Sequence, residues 1–264
     1  ALPDRVLSRI TLRPGADGYA VVDVALRERS AAPRAPLEWA GAGARAAAER
    51  EARIAIPGFT GQGELWSASW RWWRDRPRVE LGFAAPRVGP LPGVWRFDAN
   101  WEAQTYAFEN GGSPVPPIRQ SRTHGGITVS DWLTPDVRYS VSAGLDAWTD
   151  AVTRRTVSIG GGLERRWLRD RLSAAVDLTT WLPLGSGRAF RDVGSRAAFR
   201  SSTTSEGWTL LAGAGIDHVS DLAPLALWRG AGDGHARPAL LRARRLLRGG
   251  TIDASEHSAF GRTL

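Results

Sequence analysis

Residues 94–108 read VWRFDANWEAQTYAF. From Trp95 to Thr105 the side chains alternate without a break, Trp95, Phe97, Ala99, Trp101, Ala103 and Thr105 against Arg96, Asp98, Asn100, Glu102 and Gln104. A period of two belongs to a β-strand, whose successive side chains leave opposite faces. A helix would put Arg96, Asn100 and Trp101 on overlapping faces and sort nothing. The segment predicts a strand with one aromatic and one charged face, and two folds share that pattern as mirror images. In a soluble sheet the tryptophans point into the core. In a membrane barrel they point out at lipid, and the charges line a wet interior.

The rest of the chain repeats the pattern. Segments 64–75, 77–86, 94–108, 118–133, 137–149, 154–168, 171–182, 189–202 and 207–218 read as strands, with Val137, Tyr139, Val141, Ala143 and Leu145 on one face of 137–149. Many of them are far longer than the ~5–6 residues of a soluble strand. An eleven-residue strand rises roughly 36 Å and, tilted by ~45°, covers about 25 Å, the apolar height of an outer-membrane barrel. Trp66, Trp95, Trp132, Trp148, Trp167, Trp181 and Trp208 fall near strand ends, where aromatic girdles sit. Residues 133–136 and 169–170 read as tight turns, and 109–117, 183–189 and 219–236 as longer outer loops. A soluble sandwich of so many long strands would bury its charged faces without a dry core. The fold class expected is an all-β, antiparallel transmembrane β-barrel whose tryptophans face lipid.

Composition narrows the reading further. No stretch approaches the ~20 apolar residues of a membrane-spanning helix, which leaves barrel strands as the route across. The formal charge is +8 and every basic residue is Arg, yet the arginines are spread through the strands rather than gathered in a run, which argues against nucleic acid. With no Cys there is no disulfide frame and no Cys-based zinc site. The opening ALPDRV carries no signal-peptide pattern and no initiator Met, so a processed or excerpted piece is expected.

The first residues behave differently. Residues 5–12 and 19–28 read as two short strands joined by the turn PGADG, and 30–36 is a Pro-rich linker. The Ala-rich run 42–52 is the one rival to an all-strand reading. It has high helix propensity, but glycines open it and Arg53-Ile-Ala-Ile56 follows, so two strands around a short turn are expected there.

At Gly58-Phe-Thr-Gly-Gln-Gly63 the sequence resembles a turn between barrel strands in the BamA/TamA superfamily of outer-membrane assembly barrels (the bacterial surface antigen type). The aromatic–Pro step Phe83–Pro86 and the Trp-rich strand after it are similar too. Residues 1–29 resemble the end of a POTRA module, closing on Val22-Asp-Val-Ala-Leu-Arg-Glu28. The resemblance divides the chain into a POTRA-like end (1–29), the linker (30–36) and a barrel (37–264). That barrel would be incomplete at its C-terminus, holding about twelve of the family's sixteen strands, with Phe260–Leu264 opening the twelfth. It implies a first, laterally opening gate strand around Leu37–Arg45, carrying Trp39, Gly41, Gly43 and Arg45. It implies a turn motif at Gly58, Gly61 and Gly63. After an eleventh strand it implies an extracellular lumen loop with Gly230, Gly232, Gly234 and a luminal arginine, Arg242 or Arg237. Ala243 and Arg244 depart from the family's motif there.

The search for chemistry finds little. His124, His218, His235 and His257 are far apart and form no zinc constellation. His218-Val-Ser-Asp221 groups the residue types of a triad, but adjacency in sequence is not triad geometry. Gly160–Gly162 opens no helix and so is no phosphate loop. Asp98, Glu102, Asp131, Asp146, Glu164 and Asp177 are expected to pair with arginines across the lumen. No catalytic residue, cofactor or metal is assigned. The resemblance implies a bacterial outer-membrane factor that inserts or translocates polypeptides, acting without enzymatic chemistry. Its partners would be unfolded outer-membrane or secreted polypeptides, the bilayer with its lipopolysaccharide, and accessory lipoproteins. The alternative is a porin-like channel with an arginine-rich lumen.

Overall fold

Alternation of apolar and polar residues builds one long antiparallel wall. The computed structural model describes residues 6–14, 20–28, 35–58, 63–110, 113–202, 209–220, 222–227 and 247–253. Two strands come first, β1 (Val6–Pro14) and β2 (Ala20–Glu28), paired only with each other, with Val6 opposite Glu28 and Pro14 opposite Ala20. A helix, α1 (Pro36–Glu49), follows. Ten strands then run as a meander: β3 (Glu51–Pro57), β4 (Leu65–Trp73), β5 (Arg76–Ala85), β6 (Val94–Asn110), β7 (Ser113–Thr134), β8 (Val137–Thr149), β9 (Thr153–Trp167), β10 (Leu172–Pro183), β11 (Phe190–Arg200) and β12 (Leu211–Val219). A short strand, β13 (Ile252–Asp253), pairs parallel with β6. Among the described residues the edges β3 and β12 do not pair with each other.

The wall is concave on one side. Strands lie about 4.8 Å apart, so β8 and β11 are separated by roughly 14 Å along the sheet. Yet the rings of Trp148 on β8 and Phe190 on β11 approach to 6.2 Å, which only inward curvature allows. That concave face is the lumen, and it carries the polar phase: Ser67 and Ser69 on β4, Glu80 on β5, Asp98 and Asn100 on β6, Arg122 and His124 on β7, Asp146 on β8. The convex face carries Trp66, Trp70, Leu81, Phe83, Phe97, Trp101, Val141, Leu145, Ile159 and Val176. Trp66, Phe83 and Phe97 form a ladder of rings across three strands, with centroids 4.4 and 6.0 Å apart. The convex apolar side chains stand exposed, Trp70 at 59% and Leu145 at 61%. An apolar belt this continuous is a lipid-facing surface. The tryptophans of VWRFDANWEAQTYAF do face outward.

Several expectations are corrected. The proposed gate strand is helical: Trp39, Gly41, Gly43 and Arg45 lie in α1, whose residues 40–48 contain nothing but Ala, Gly and Arg. Pro at the first turn, Glu38 beside the positive end of the helix and an Arg45–Glu49 pair at 2.9 Å support the helix, and Arg50 closes it in the left-handed region (φ 51°). Propensity here outweighs the two glycines. The wall therefore has ten strands before residue 220 rather than eleven, and Phe260–Leu264 lies outside the described residues.

Most of the stretch 109–117 is strand rather than loop. β6 runs to Asn110 and β7 starts at Ser113, the two residues pairing, and a register shift between Tyr106 and Phe108 leaves Pro116 and Pro117, which lack an N–H to donate, off the ladder. The loop asymmetry is mixed. As expected, 135–136 and 168–171 are short at the mouth far from α1, and 184–189 is longer at the mouth next to α1. But 74–75 and 150–152 are short at the α1 mouth too, and 58–64, 86–93 and 201–210 are longer at the far one.

Candidate functional site in the lumen

The lumen next to the α1 mouth is filled by protein. β12 delivers the chain there, and residues 222–227 turn inward beneath β7–β11, the Ala226 N–H donating to Gln120 Oε1 at 3.1 Å. Trp148, Trp181, Phe190, Val219 and Ala223 close into a dry cluster. Trp181 and Phe190 stack at 5.2 Å. Residues 247–253 dock beside it on the β4–β5 turn: Asp75 N–H reaches Gly249 O at 3.0 Å, and Gln104 Nε2 reaches Gly250 O at 3.1 Å. Ile252, fully buried, then extends along the part of β6 that β5 leaves unpaired. Gly249 and Gly250 have φ of 84° and 96°, a backbone that an L side chain would strain at this dock.

Next to the dry cluster sits the principal polar network. Asp146, 3% exposed, accepts from Arg122 Nε at 2.7 Å through Oδ1 and from Trp181 Nε1 at 3.0 Å through Oδ2. His124 Nδ1 lies 2.9 Å from the same Oδ1, and its Nε2 lies 3.0 Å from Asp98 Oδ2. The Arg122 guanidinium covers the Trp148 ring at 4.6 Å, and Trp148 Nε1 donates to Thr156 Oγ1 at 3.2 Å. Three strands, β6, β7 and β8, thus supply a connected row of Asp98, His124, Asp146 and Arg122. Glycines make the room for it. A Cβ at Gly126 would stand 2.8 Å from His124 Nε2, and one at Gly144 would stand 2.9 Å from His124 Cε1.

Beyond the network, toward the other mouth, the lumen holds Arg96, Arg138 and Arg196 among Thr128, Ser130, Glu164 and Asp177. Arg138 donates to Ser130 Oγ at 2.8 Å and Arg196 pairs with Asp177 at 2.9 Å.

The acidic residues expected in the lumen divide accordingly. Asp146, Glu164 and Asp177 pair with Arg122, Arg166 and Arg196, Glu164 at 2.7 Å, whereas Asp98 meets His124 rather than an arginine and Glu102 lines the lumen beside Arg71, Arg76 and Arg122. Asp131 falls in the outward phase instead and accepts from the Trp132 N–H at 2.8 Å. The girdle divides too. Trp66, Trp95 and Trp167 point outward, whereas Trp148 and Trp181 are buried in the lumen and Trp132 lies in the luminal phase at the rim; the docked 222–227 segment makes a dry interior that takes the first two. Trp208 lies outside the described residues.

In the turn motif, Gly58 (φ 63°) donates its N–H to Glu64 O at 2.7 Å and Gly63 has φ of 77°, so both glycines hold a left-handed backbone where β3 and β4 leave the ladder. Gly61 lies outside the described residues, as do Gly230, Gly232, Gly234, Arg237 and Arg242. Ten strands bring the start of β3 and the end of β12 to one mouth, whereas eleven strands beginning near residue 37 would have started and ended at opposite mouths. The physical cause is the helical state of 37–45. Among the described residues no cluster of His, Asp and Glu is arranged to hold a metal ion.

An apolar belt outside and a charged, partly plugged lumen inside are the build of a bacterial outer-membrane β-barrel, and this chain is an outer-membrane β-barrel protein. No family model matches the chain, and no curated protein matches its sequence. Among solved structures, OmpT of Vibrio cholerae, described as an outer membrane protein in trimer form, is 12% identical with a TM-score of 0.45, over 64% of this chain and 54% of that one. BamA from Haemophilus ducreyi lacking POTRA domains 1–3 is 10% identical with a TM-score of 0.47, over 83% of this chain and 46% of that one. The chain spans about half the length of each.

Proposed function

We propose that this barrel inserts or translocates polypeptides at a lateral seam, with β3 as the seam strand in place of residues 37–45. The observation that carries the reading is β3 itself. It has seven residues where the other strands of the meander have between 9 and 22, it ends on Pro57, and among the described residues its outer edge has no partner. A short unpaired edge can accept an incoming strand by backbone hydrogen bonding, as in β-augmentation. The plugged lumen also favours polypeptide handling at the wall over bulk flow through the centre. In this reading β1 and β2 end a POTRA-like module that receives unfolded outer-membrane or secreted polypeptide, and the segment after β12 braces the lumen from the α1 mouth. The work is mechanical and needs no catalytic group.

The test uses the full-length protein in liposomes with a small unfolded barrel protein as substrate. Accelerated folding, with photo-crosslinks to substrate from probes at Arg53 and Ala55 of β3 and none from probes at β8, is expected. The second reading is an anion channel, which the luminal arginines Arg96, Arg138 and Arg196 favour. Steady anion-selective conductance without accelerated folding would overturn the first reading and support the second.

A further inference from the structure

Among the described residues, helix α1 meets the wall at its C-terminal end alone. None of its residues is buried, and Leu37 and Trp39 are 83% and 59% exposed. Its charges are confined to one stripe, Glu38, Arg45 and Glu49, which at 100° per residue fall within about 40° of one another. The remaining circumference is apolar. Fourteen residues rise to roughly 21 Å, short of the ~30 Å hydrocarbon core, so a helix of this length lies along a membrane rather than across it.

The position of its C-terminal end says what covers it. Trp73 Nε1 donates to Glu49 O at 2.9 Å, Trp72 N–H donates to Arg50 O at 3.0 Å, and the Arg50 guanidinium stands 4.8 Å over the Trp73 ring. Ala52 pairs with Trp70, so the helix ends at the level of the outward-facing Trp70 and Trp72. That is the aromatic rim of the lipid-facing belt, where amphipathic rings meet the headgroups. α1 is thus continuous with a surface that already faces lipid.

We infer that α1 lies flat in the headgroup region of the leaflet at its own mouth, with Leu37 and Trp39 in lipid and the Glu38–Arg45–Glu49 stripe in water. It thereby anchors the N-terminal end of β3 to the membrane surface. One arginine against two glutamates gives the stripe no attraction to anionic lipid, so burial of apolar surface drives the contact. The inference rests on the wall spanning a bilayer and not on the polypeptide-handling reading.

The chain has no cysteine, so single spin labels report cleanly. The full-length protein would be labelled at Leu37→Cys, Ala40→Cys or Ala44→Cys, and at Glu38→Cys, Arg45→Cys or Glu49→Cys. Each is reconstituted in phosphatidylcholine vesicles with and without phosphatidylglycerol, with Val141→Cys and Ser142→Cys as lipid-facing and luminal controls. Collision with oxygen, which partitions into lipid, is compared with collision with a water-soluble nickel chelate. The expected result is an oxygen preference at 37, 40 and 44 that reverses to nickel at 38, 45 and 49, unchanged by phosphatidylglycerol. Nickel preference at all six positions would overturn the inference by placing the helix in water. Exclusion of both probes at 37 and 40 would overturn it by showing a protein cover. Loss of oxygen preference at Val141→Cys would overturn the orientation of the wall along with it.

Discussion

Leu145 and Asp146 are neighbours on β8 and live in different solvents. Leu145 stands 61% exposed on the convex face, where lipid covers it, and its environment asks only for apolar bulk. Asp146 is 3% exposed on the concave face and holds Arg122, His124 and Trp181 at 2.7–3.0 Å. The difference teaches that this wall is inverted relative to a soluble sheet: specificity lies inside, in hydrogen-bond geometry, and tolerance lies outside. Asp146→Ala leaves a half-buried guanidinium and a buried indole N–H without their acceptor, a loss on the order of 3 kcal/mol. Leu145→Ala removes only lipid-exposed apolar bulk and leaves no buried group unpaired. Urea unfolding of the reconstituted protein would compare the two, and equal midpoints for the two variants would break the comparison.

Charge sharpens it from the other side. Val141 and Ser142 lie near the middle of β8, one facing lipid and one facing the lumen. Val141→Arg should cost about 2–4 kcal/mol, the range for a cation on the lipid face near the midplane. Ser142→Arg projects into a polar lumen and should leave stability nearly unchanged. A Val141→Arg variant as stable as the parent in the same unfolding assay would mean the belt does not face lipid.

Glycines offer a smaller version of the same contrast. A Cβ at Gly160 would lie 2.5 Å from Ser142 Oγ, 3.0 Å from Thr179 Oγ1 and 3.2 Å from the Leu178 carbonyl, and the carbonyl cannot rotate away. At Gly161, on the outer face, the nearest atom is Ser140 O at an ordinary 3.7 Å. Gly160→Ala should therefore destabilise by about 1–3 kcal/mol, and Gly161→Ala should be neutral or slightly stabilising. Thermal unfolding of both variants in one detergent checks the sign of the difference.

The outer face was legible in the sequence because period two is a local signal and each strand declares its own phase. The luminal network was not. Asp146 and His124 are 22 residues apart, and Trp181 lies 35 residues beyond Asp146. Register alone brings them together, and the glycines that seat the imidazole read in sequence only as weak points in strands. Trp148 and Trp181 were misread for a related reason: a tryptophan near a strand end looks the same whether lipid or a docked segment covers it. Residues 37–49 failed differently. Ala and Gly carry no alternation, and propensity, the signal that remained, was outweighed by the β-branched stretch that follows.

Where β8 runs out, the two faces should cease to differ, and Asp150 tests this. Its carboxylate sits in the turn to β9, accepting from the Val152 N–H at 3.1 Å and from Arg154 Nη2 at 2.9 Å. Partial burial pushes its pKa up, but the Val152 N–H and the Arg154 cation outweigh that and hold it below the usual carboxylate value of 3.8. A carboxyl with a lowered folded-state pKa adds stability that is present above the unfolded pKa and lost as pH falls through the folded one. Because both partners are exposed to water, the contribution is about 1 kcal/mol or less. Asp150→Asn should therefore differ slightly from the parent at neutral pH and converge with it below the folded pKa of Asp150, whereas Asp146→Ala should stay well below the parent at neutral pH. If Asp150→Asn proved as costly as Asp146→Ala at neutral pH, desolvation in the lumen could not be what sets the larger loss, and the contrast between the two faces would need another cause.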